Sequence, residues 1–232
     1  MLFDLHLHSR YSIDALTKPE TIVKVCKNKE IGFSLTDHNN MDAYKGVNGI
    51  LKIAKKQGVL AIPGEEIKVI SQDENKNEKP ETIGEVIVYF LATPIKPSSF
   101  EEILDQVKKQ DALLSCPHPF DWPRKNFKPF TKQWKKFTCM EIYNARAYYQ
   151  GLNKASQEFY APLQGKIAPL GVSDAHTPEE IGNGLTKINA DTLEGVRKQL
   201  KKHKSKVIPR GKARPWHHFK TQLAKRDLIS ER

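Results

Sequence analysis

Two histidines one residue apart, His6 and His8, stand directly behind a short apolar run, and an acid, Asp14, follows six residues after the second. Comparable groups recur along the chain: Asp37 and His38 after FSL, Glu65 and Glu66 after VLAIP, His118 after ALLSC, and Asp174 and His176 after APLGV. On extended backbone, side chains alternate with a period of two, so a His-x-His pair turns both rings to one side. Asp174-Ala175-His176 repeats that geometry. Imidazole combined with carboxylate oxygen suits Zn²⁺, Mn²⁺ or Fe²⁺, whereas Mg²⁺ alone rarely demands so much imidazole. A single His-x-His is a weak signal, shared with surface and core histidines. Two such pairs, with TDH, GEE and PHP in equivalent positions, are hard to explain as separate accidents.

Short apolar runs alternate with amphipathic segments: LFDLHL, PETIVKVCKNK, FSLTDH, the stretch Ala43 to Gln57, VLAIPGEEIKVI and EVIVYFLAT. The rhythm continues with SSFEEILDQVKKQ, ALLSCPHP, TCMEIYN, a helix around Leu152 to Tyr160, IAPLGVSDAH, GLTKINA and DTLEGVRKQLKKH. Strands alternating with helices imply a parallel sheet, open or closed into a barrel. In such a sheet the downstream strand ends emerge on one face, where distant residues meet. Thr17-Lys18-Pro19-Glu20 and Ser98-Ser99-Phe100-Glu101 read as helix starts, each with a hydroxyl cap and an acid three residues on. The basic run Val196 to Lys206 reads as the solvated face of a helix. Ser71 to Thr82 is polar enough to be a disordered loop or hairpin excursion. The tail beyond Pro209 turns basic, with a helix expected from near Pro215. For its His217 and His218 a solvated helix is preferred over a substrate-binding lid, with Trp216 and Phe219 fastening it to the barrel.

A chain of 232 residues fits one domain with a sizeable core. No apolar run approaches the ~18 residues that span a bilayer, and no basic, apolar and small-residue sequence marks an export signal. A cytoplasmic location without a membrane partner is expected. Cys26, Cys116 and Cys139 are odd in number and far apart, which argues against a disulfide framework and a thiolate zinc site. Cys116, close to His118, is read as a buried strand cysteine rather than a ligand or nucleophile. Lys and Arg total 38 against 27 Asp and Glu, a net charge of +11 that attracts phosphate-bearing substrates or nucleic acid. No GxSxG elbow, P-loop or dinucleotide GxGxxG occurs.

The stretches DLHLHSRYSIDA, SLTDHN, IPGEEI, SCPHP, MEIYNAR and GVSDAH, in that order from Asp4 to His176, resemble the PHP superfamily. These are metal-dependent phosphoesterases named after polymerase and histidinol phosphatase domains. The resemblance implies an α/β fold, a distorted (β/α)7 TIM-like barrel with its metals at the C-terminal face of the strands. A barrel domain over residues 1–209 and a packed basic tail over 210–232 are expected. Two or three divalent ions are implied. His6, His8, Glu66 and Asp174 would hold one, and Glu66 would bridge to a second that His118 also binds. Asp14, His38 and His176 would hold a third. Glu66 rather than Glu65 matches the family's Gly-x-Glu. Glu85 stands where many relatives carry a histidine, so the second ion would have a more oxygen-rich shell, which favours manganese or iron over zinc.

Around these, Asp37 is expected to orient His38 or a strand-end amide rather than bind metal, and Glu141 and Asn144 to support the site. Glu65, turned away from Glu66 by alternation, is expected in solvent or in a salt bridge. Arg10 and Arg146 are candidates for binding phosphate, with a structural ion pair as the alternative for each. A di- or trinuclear centre acidifies a bound water and neutralises phosphoryl charge, so no protein nucleophile is required. Catalysis is therefore assigned to a metal-bound water, with Asp174, His176 and His38 nearest to it. The function expected is a hydrolase acting on phosphoric ester bonds, a phosphatase or phosphodiesterase for a small phosphorylated metabolite or nucleotide. An exonuclease acting on RNA or DNA ends, and a non-catalytic metal-stabilised binding module, are the alternatives.

Overall fold

One extra residue in the first strand decides where its histidines point. Strand β1 (Leu2–Leu7) runs parallel to β2 (Gly32–Leu35), with Asp4 opposite Phe33 and Leu7 opposite Leu35, so Leu5 and His6 together face Ser34. Such a bulge re-aims side chains. Phe3 and Leu5 therefore join an apolar cluster with Ile62, Ile87, Leu113, Cys139 and Leu170, while His6 and His8 emerge above it. The computed structural model describes residues 1–46, 49–71 and 81–226.

The remaining strands are β3 (Ala61–Ile70), β4 (Thr82–Tyr89), β5 (Leu113–Cys116), β6 (Cys139–Asn144), β7 (Ala168–Val172), β8 (Gly184–Lys187) and β9 (Lys206–Pro209). They form one sheet in the order β7-β6-β5-β4-β3-β2-β1-β8-β9. It curls back on itself: Leu7 bridges Ala175 in parallel, and His8 N donates to Ala175 O at 2.9 Å. The result is a distorted α/β barrel, with β8 and β9 as an outer extension. Closure brings β7 and β8 into backbone contact, and Gly184 permits it, since a Cβ there would fall on the Val172 carbonyl.

Helices cover the outside: α1 (Pro19–Asn28), α2 (Ile50–Lys56), α3 (Phe100–Lys109), a one-turn α4 (Phe130–Gln133), α5 (Gln150–Tyr160), α6 (Leu193–Lys201) and α7 (Pro215–Lys225). Ile22, Val23 and Cys26 of α1 pack with Phe33 and Leu35, and Phe100, Ile103 and Val107 of α3 with Val86 and Val88. Both helices bury one apolar stripe against the sheet. No helix among the described residues is long and apolar enough to cross a membrane.

Several details differ from the sequence reading. The sheet is mixed: β4 is antiparallel to both β3 and β5, β8 to β1, and β9 to β8. The 71–81 connection carries no room for the helical crossover that a parallel neighbour needs. Most of the polar stretch Ser71 to Thr82 lies outside the described residues. Helix α1 starts at Pro19 with Lys18 as an unbonded cap, while Thr17 is buried against the His176 carbonyl. Ser99 rather than Ser98 caps α3, in a reciprocal box with Glu102. The basic run from Val196 is helical only to Lys201; His203 turns the chain at φ +56° into β9.

The C-terminal helix also departs from expectation. His217, Thr221 and Ala224 fasten α7, whereas Trp216 and Phe219 remain 58% and 50% exposed.

Candidate metal centre

His6 and His8 leave β1 on one side, and their Nε2 atoms lie 3.0 Å apart. Each is 3.4 Å from Glu66 Oε2 and 3.6 Å from Asp174 Oδ1. Two facing imidazole lone pairs and two carboxylates, all buried, are not a stable packing arrangement by themselves. Tetrahedral ligands about 2.1 Å from a cation stand about 3.4 Å apart, so these four atoms fit a single ion.

Three of the rings are fixed from behind. His6 Nδ1 donates to Glu141 Oε1 at 2.7 Å, and His176 Nδ1 to the Asp174 carbonyl at 2.9 Å. His8 Nδ1 contacts Ser12 Oγ at 3.2 Å, and Ser12 Oγ in turn donates to Asp37 Oδ1 at 2.7 Å. Such bonds direct each Nε2 lone pair into the cleft. Asp37 also accepts from Ser9 N at 2.7 Å and from Ser9 Oγ, which makes it the anchor of the loop after β1 rather than a partner of the His38 ring. Glu141 receives His118 N at 2.8 Å and Asn144 Nδ2 at 2.8 Å on its other oxygen, and Asn144 Nδ2 reaches Asp174 Oδ2 at 3.0 Å.

Two further groups adjoin the first. Glu66 Oε1 lies 3.3 Å from His118 Nε2, and Glu66 also gathers with His38 and Glu85 within 4.8 Å. Because β4 runs antiparallel, its first half lies at the cleft end and delivers Glu85 there. Asp14 Oδ1 sits 3.6 Å from His38 Nε2 and 3.5 Å from His176 Nε2. His8, His38 and His176 cluster within 4.8 Å. Asp14 Oδ1, His38 Nδ1 and His118 Nδ1 are buried without a hydrogen-bond partner. Four buried carboxylates with imidazoles between them call for cations, and the donor set suits divalent ions.

The local field is strong. Burial lowers the His6 imidazole, but Asp174, Glu141 and Glu66 outweigh it and hold the ring well above its ordinary value. Burial and the neighbouring His176 and His38 push His8 down to about 3. Against the cost of burial, His6 and His38 draw the Glu66 carboxyl well below its usual range, and His6 and Arg124 do the same for Asp174. His118 and Asp174 both adopt positive φ, +29° and +56°, a conformation non-glycine residues rarely take and one concentrated at functional sites.

All the anticipated metal-binding residues, His6, His8, Asp14, His38, Glu66, Glu85, His118, Asp174 and His176, are thus brought together. The arginines separate. Arg10 is exposed, its guanidinium 5.8 Å from the Tyr11 ring, because the turn closed by Ser12 N on Ser9 O points it out of the cleft. Arg146 reaches the cleft wall, but its Nη1 pairs with Glu180 Oε1 at 2.6 Å and its Nη2 bonds Thr221 Oγ1 at 3.0 Å. Glu65 is buried rather than solvated and forms no salt bridge among the described residues, with Oε2 accepting from Ile95 N at 2.9 Å. Cys116 is a buried strand residue.

Sequence reading missed Arg124, whose Nε binds Asp121 Oδ2 at 2.8 Å and whose Nη1 bonds Asp174 Oδ2. No motif marks it. Also missed were Lys68, Lys125 and Lys225, which line the cleft, and Lys225 Nζ lies 3.2 Å from Asp14 Oδ2. The cleft has a volume of about 770 Å³.

This barrel and its histidine-carboxylate face match the PHP domain family model over residues 4–190, and the chain belongs to that family. Membership of that family sets its class, a hydrolase acting on phosphoester bonds. It is 32% identical over 202 residues to the uncharacterized protein MJ0417 of Methanocaldococcus jannaschii, covering 84% of this chain and 73% of that one. Among solved structures, a protein assigned as a metal-dependent phosphoesterase from Bifidobacterium adolescentis superposes with a TM-score of 0.56 at 12% identity, over 75% of this chain and 87% of that one. The lesion-specific endonuclease EndoQ of Pyrococcus furiosus gives 0.56 at 18% identity, over 87% of this chain and 56% of that one. These two likenesses are likenesses of fold.

Proposed function

We propose that this chain hydrolyses phosphate esters with two or three divalent ions, Mn²⁺, Zn²⁺ or Fe²⁺. His6, His8, Glu66 and Asp174 would hold one, Glu66, His118 and Glu85 a second, and Asp14, His38 and His176 a third. The observation that carries this reading is the convergence of four buried donor atoms at 3.0 to 3.6 Å, backed by a carboxylate whose other oxygen faces His118. When bound, such ions lower the pKa of a coordinated water and neutralise charge on phosphoryl oxygens. The protein's own residues supply the rest. Glu141, Ser12 and the Asp174 carbonyl fix the tautomers that aim imidazole lone pairs into the cleft. Arg124, tied to Asp121 and Asp174, sets a guanidinium beside the position a phosphoryl group would take, where its fork suits phosphate oxygens.

The substrate on this reading is a small phosphorylated metabolite or nucleotide. A second reading, cleavage at RNA or DNA ends, draws on the cations Lys68, Arg124, Lys125 and Lys225 along the cleft; the name of the endonuclease that shares the fold supports nucleic acid as the substrate, not the end as the point of cleavage. We read residues 1–209 as the barrel domain and the tail as one wall of its cleft. Three unpaired buried thiols suit the reducing cytoplasm, where we place the protein.

The test combines elemental analysis of the purified protein with a panel of nucleotides, sugar phosphates and oligonucleotides in Mn²⁺. Phosphoester hydrolysis is expected, and His8→Ala and Asp174→Ala should each abolish it. Undiminished turnover in both variants would remove the assigned centre.

A further inference from the structure

Exposed aromatic side chains are not spread evenly over this molecule. Tyr11, Trp122, Tyr148, Tyr149, Trp216 and Phe219 are between 42% and 71% accessible. Tyr11, Tyr148 and Phe219 line the cleft that holds the histidine cluster. The other three adjoin it: the Tyr149 ring is 5.6 Å from Tyr148, the Trp216 ring is 5.3 Å from Phe219, and Trp122 directly precedes the cleft residues Pro123 and Arg124. These rings come from four separate places in the chain, namely the segments after β1, β5 and β6 and the helix α7. Neighbourhood in sequence therefore explains only the two pairs.

Fastening α7 to the barrel does not account for them either. That task falls to His217, Thr221 and Ala224, which are buried, and to the bond from Arg146 to Thr221. Wet aromatic surface gathered around one mouth marks an interaction site. His218 adds a further flat face, its ring 5.3 Å from Tyr148. Burial and the nearby Arg146 lower His218 to about 4, so it presents a neutral ring. Four cations line the same cleft: Lys68 and Lys125, Arg124, which is bonded to Asp174, and Lys225 of α7, 3.2 Å from Asp14. Flat aromatic platforms sharing one cleft with cations match a flexible polyanion whose rings are free to stack. A duplex hides its base faces, and a small phosphorylated metabolite has too few rings to meet platforms on several elements.

We propose that this rim binds single-stranded nucleic acid, with bases stacked on Tyr148, Phe219 and Tyr11 and the backbone crossing the cationic cleft toward the histidine cluster. The proposal rests on the phosphoester-hydrolase reading of that cluster and, of its two substrate classes, takes nucleic acid over the small metabolite. Loss of one stacked base weakens such binding by about tenfold.

The test uses the full-length, metal-replete protein and labelled single strands of about twelve nucleotides, the length range that one such groove holds. DNA and RNA strands are run in separate arms, with anisotropy read by stopped flow before turnover. A duplex of the same length and inorganic polyphosphate serve as comparisons. Single strands should bind at least about tenfold tighter than either, Tyr148→Ala and Phe219→Ala should each weaken them about tenfold, and Tyr148→Trp and Phe219→Trp should restore binding. Thermal melts confirm that the variants fold. Equal affinity for duplex or polyphosphate, or unchanged binding in both alanine variants, overturns the proposal. Hydrolysis of bis(p-nitrophenyl) phosphate by the wild-type protein reads the centre separately. Turnover of that diester without strand preference sinks the rim and leaves the hydrolase standing, whereas strand preference without turnover supports the rim and removes the hydrolase.

Discussion

Glu66 meets His118 with one oxygen and the β1 histidines with the other: Oε1 lies 3.3 Å from His118 Nε2, and Oε2 lies 3.4 Å from Nε2 of both His6 and His8. A carboxylate so placed can join two ions, and no other described side chain stands between the same two sets of rings. Glu66→Gln keeps the shape but loses the charge and one acceptor oxygen. Elemental analysis should show at least one fewer ion per chain, and phosphoester turnover should fall on the order of 100-fold or more. A variant that keeps both its metal and its rate would refute the bridging assignment.

Glu141 touches no part of the cleft where substrate would sit, yet it accepts three donors: His6 Nδ1, His118 N and Asn144 Nδ2. An amide in its place must turn its NH₂ toward one of them. Glu141→Gln is therefore expected to weaken metal binding by about 10- to 100-fold, measured by competition with a chelator, although the residue is not itself placed as a ligand. Excess metal should recover much of the lost turnover, which a collapsed fold would not allow.

These relationships show what could and could not be read beforehand. Seven of the nine metal-binding candidates, His6, His8, His38, Glu66, His118, Asp174 and His176, were legible because each follows an apolar run whose downstream end meets the others on one face, whereas Asp14 and Glu85 were read only through the family resemblance. Register was not legible. The bulge that puts Leu5 and His6 on the same side leaves no trace in composition, and neither does the reversal of β4 that brings Glu85 to the cleft. Arg10 and Arg124 make the same point from opposite directions. Arg10 sits beside a histidine motif and points outward, whereas Arg124 sits in an unremarkable loop and bonds Asp174. Side-chain direction in loops depends on turn geometry and distant partners, and a single sequence carries little of either.

Glu65 gives a dependence of stability on pH. Burial raises its carboxyl to about 7 against an ordinary 4.5, with the Ile95 amide opposing the shift. Between those values the folded chain retains a proton that the unfolded chain has released, so stability falls as pH rises from about 4.5 to about 7 and stays low above. Glu65→Gln keeps an acceptor for Ile95 N and removes the titration. Urea denaturation should find this variant more stable than wild type at pH 8, by up to about 3 kcal/mol, and nearly equal to it below pH 4.5. An equal difference at both pH values would show that folding leaves the Glu65 carboxyl unshifted.

Asp14, Glu66, Glu85 and Asp174 concentrate four buried carboxylates on one face of the barrel. The basic groups in contact with them, Arg124 on Asp174 and Lys225 on Asp14, leave Glu66 and Glu85 to the histidines, and burial together with the charge of Glu66 raises the Glu85 carboxyl. Ions that bind the folded chain and not the unfolded one stabilise it by mass action, about 4 kcal/mol at a thousandfold excess over the dissociation constant. For a chain of this size that corresponds to a shift in melting temperature of roughly 10 °C. Chelation should therefore lower the melting temperature by about this amount, and Mn²⁺ should restore it. In His8→Ala the response should shrink markedly, because His8 belongs both to the group with His6 and Glu66 and to the group with His38 and His176. A melting temperature indifferent to chelation in the wild-type chain would mean that these carboxylates are protonated or paired within the protein, and that the face is built for something other than metal.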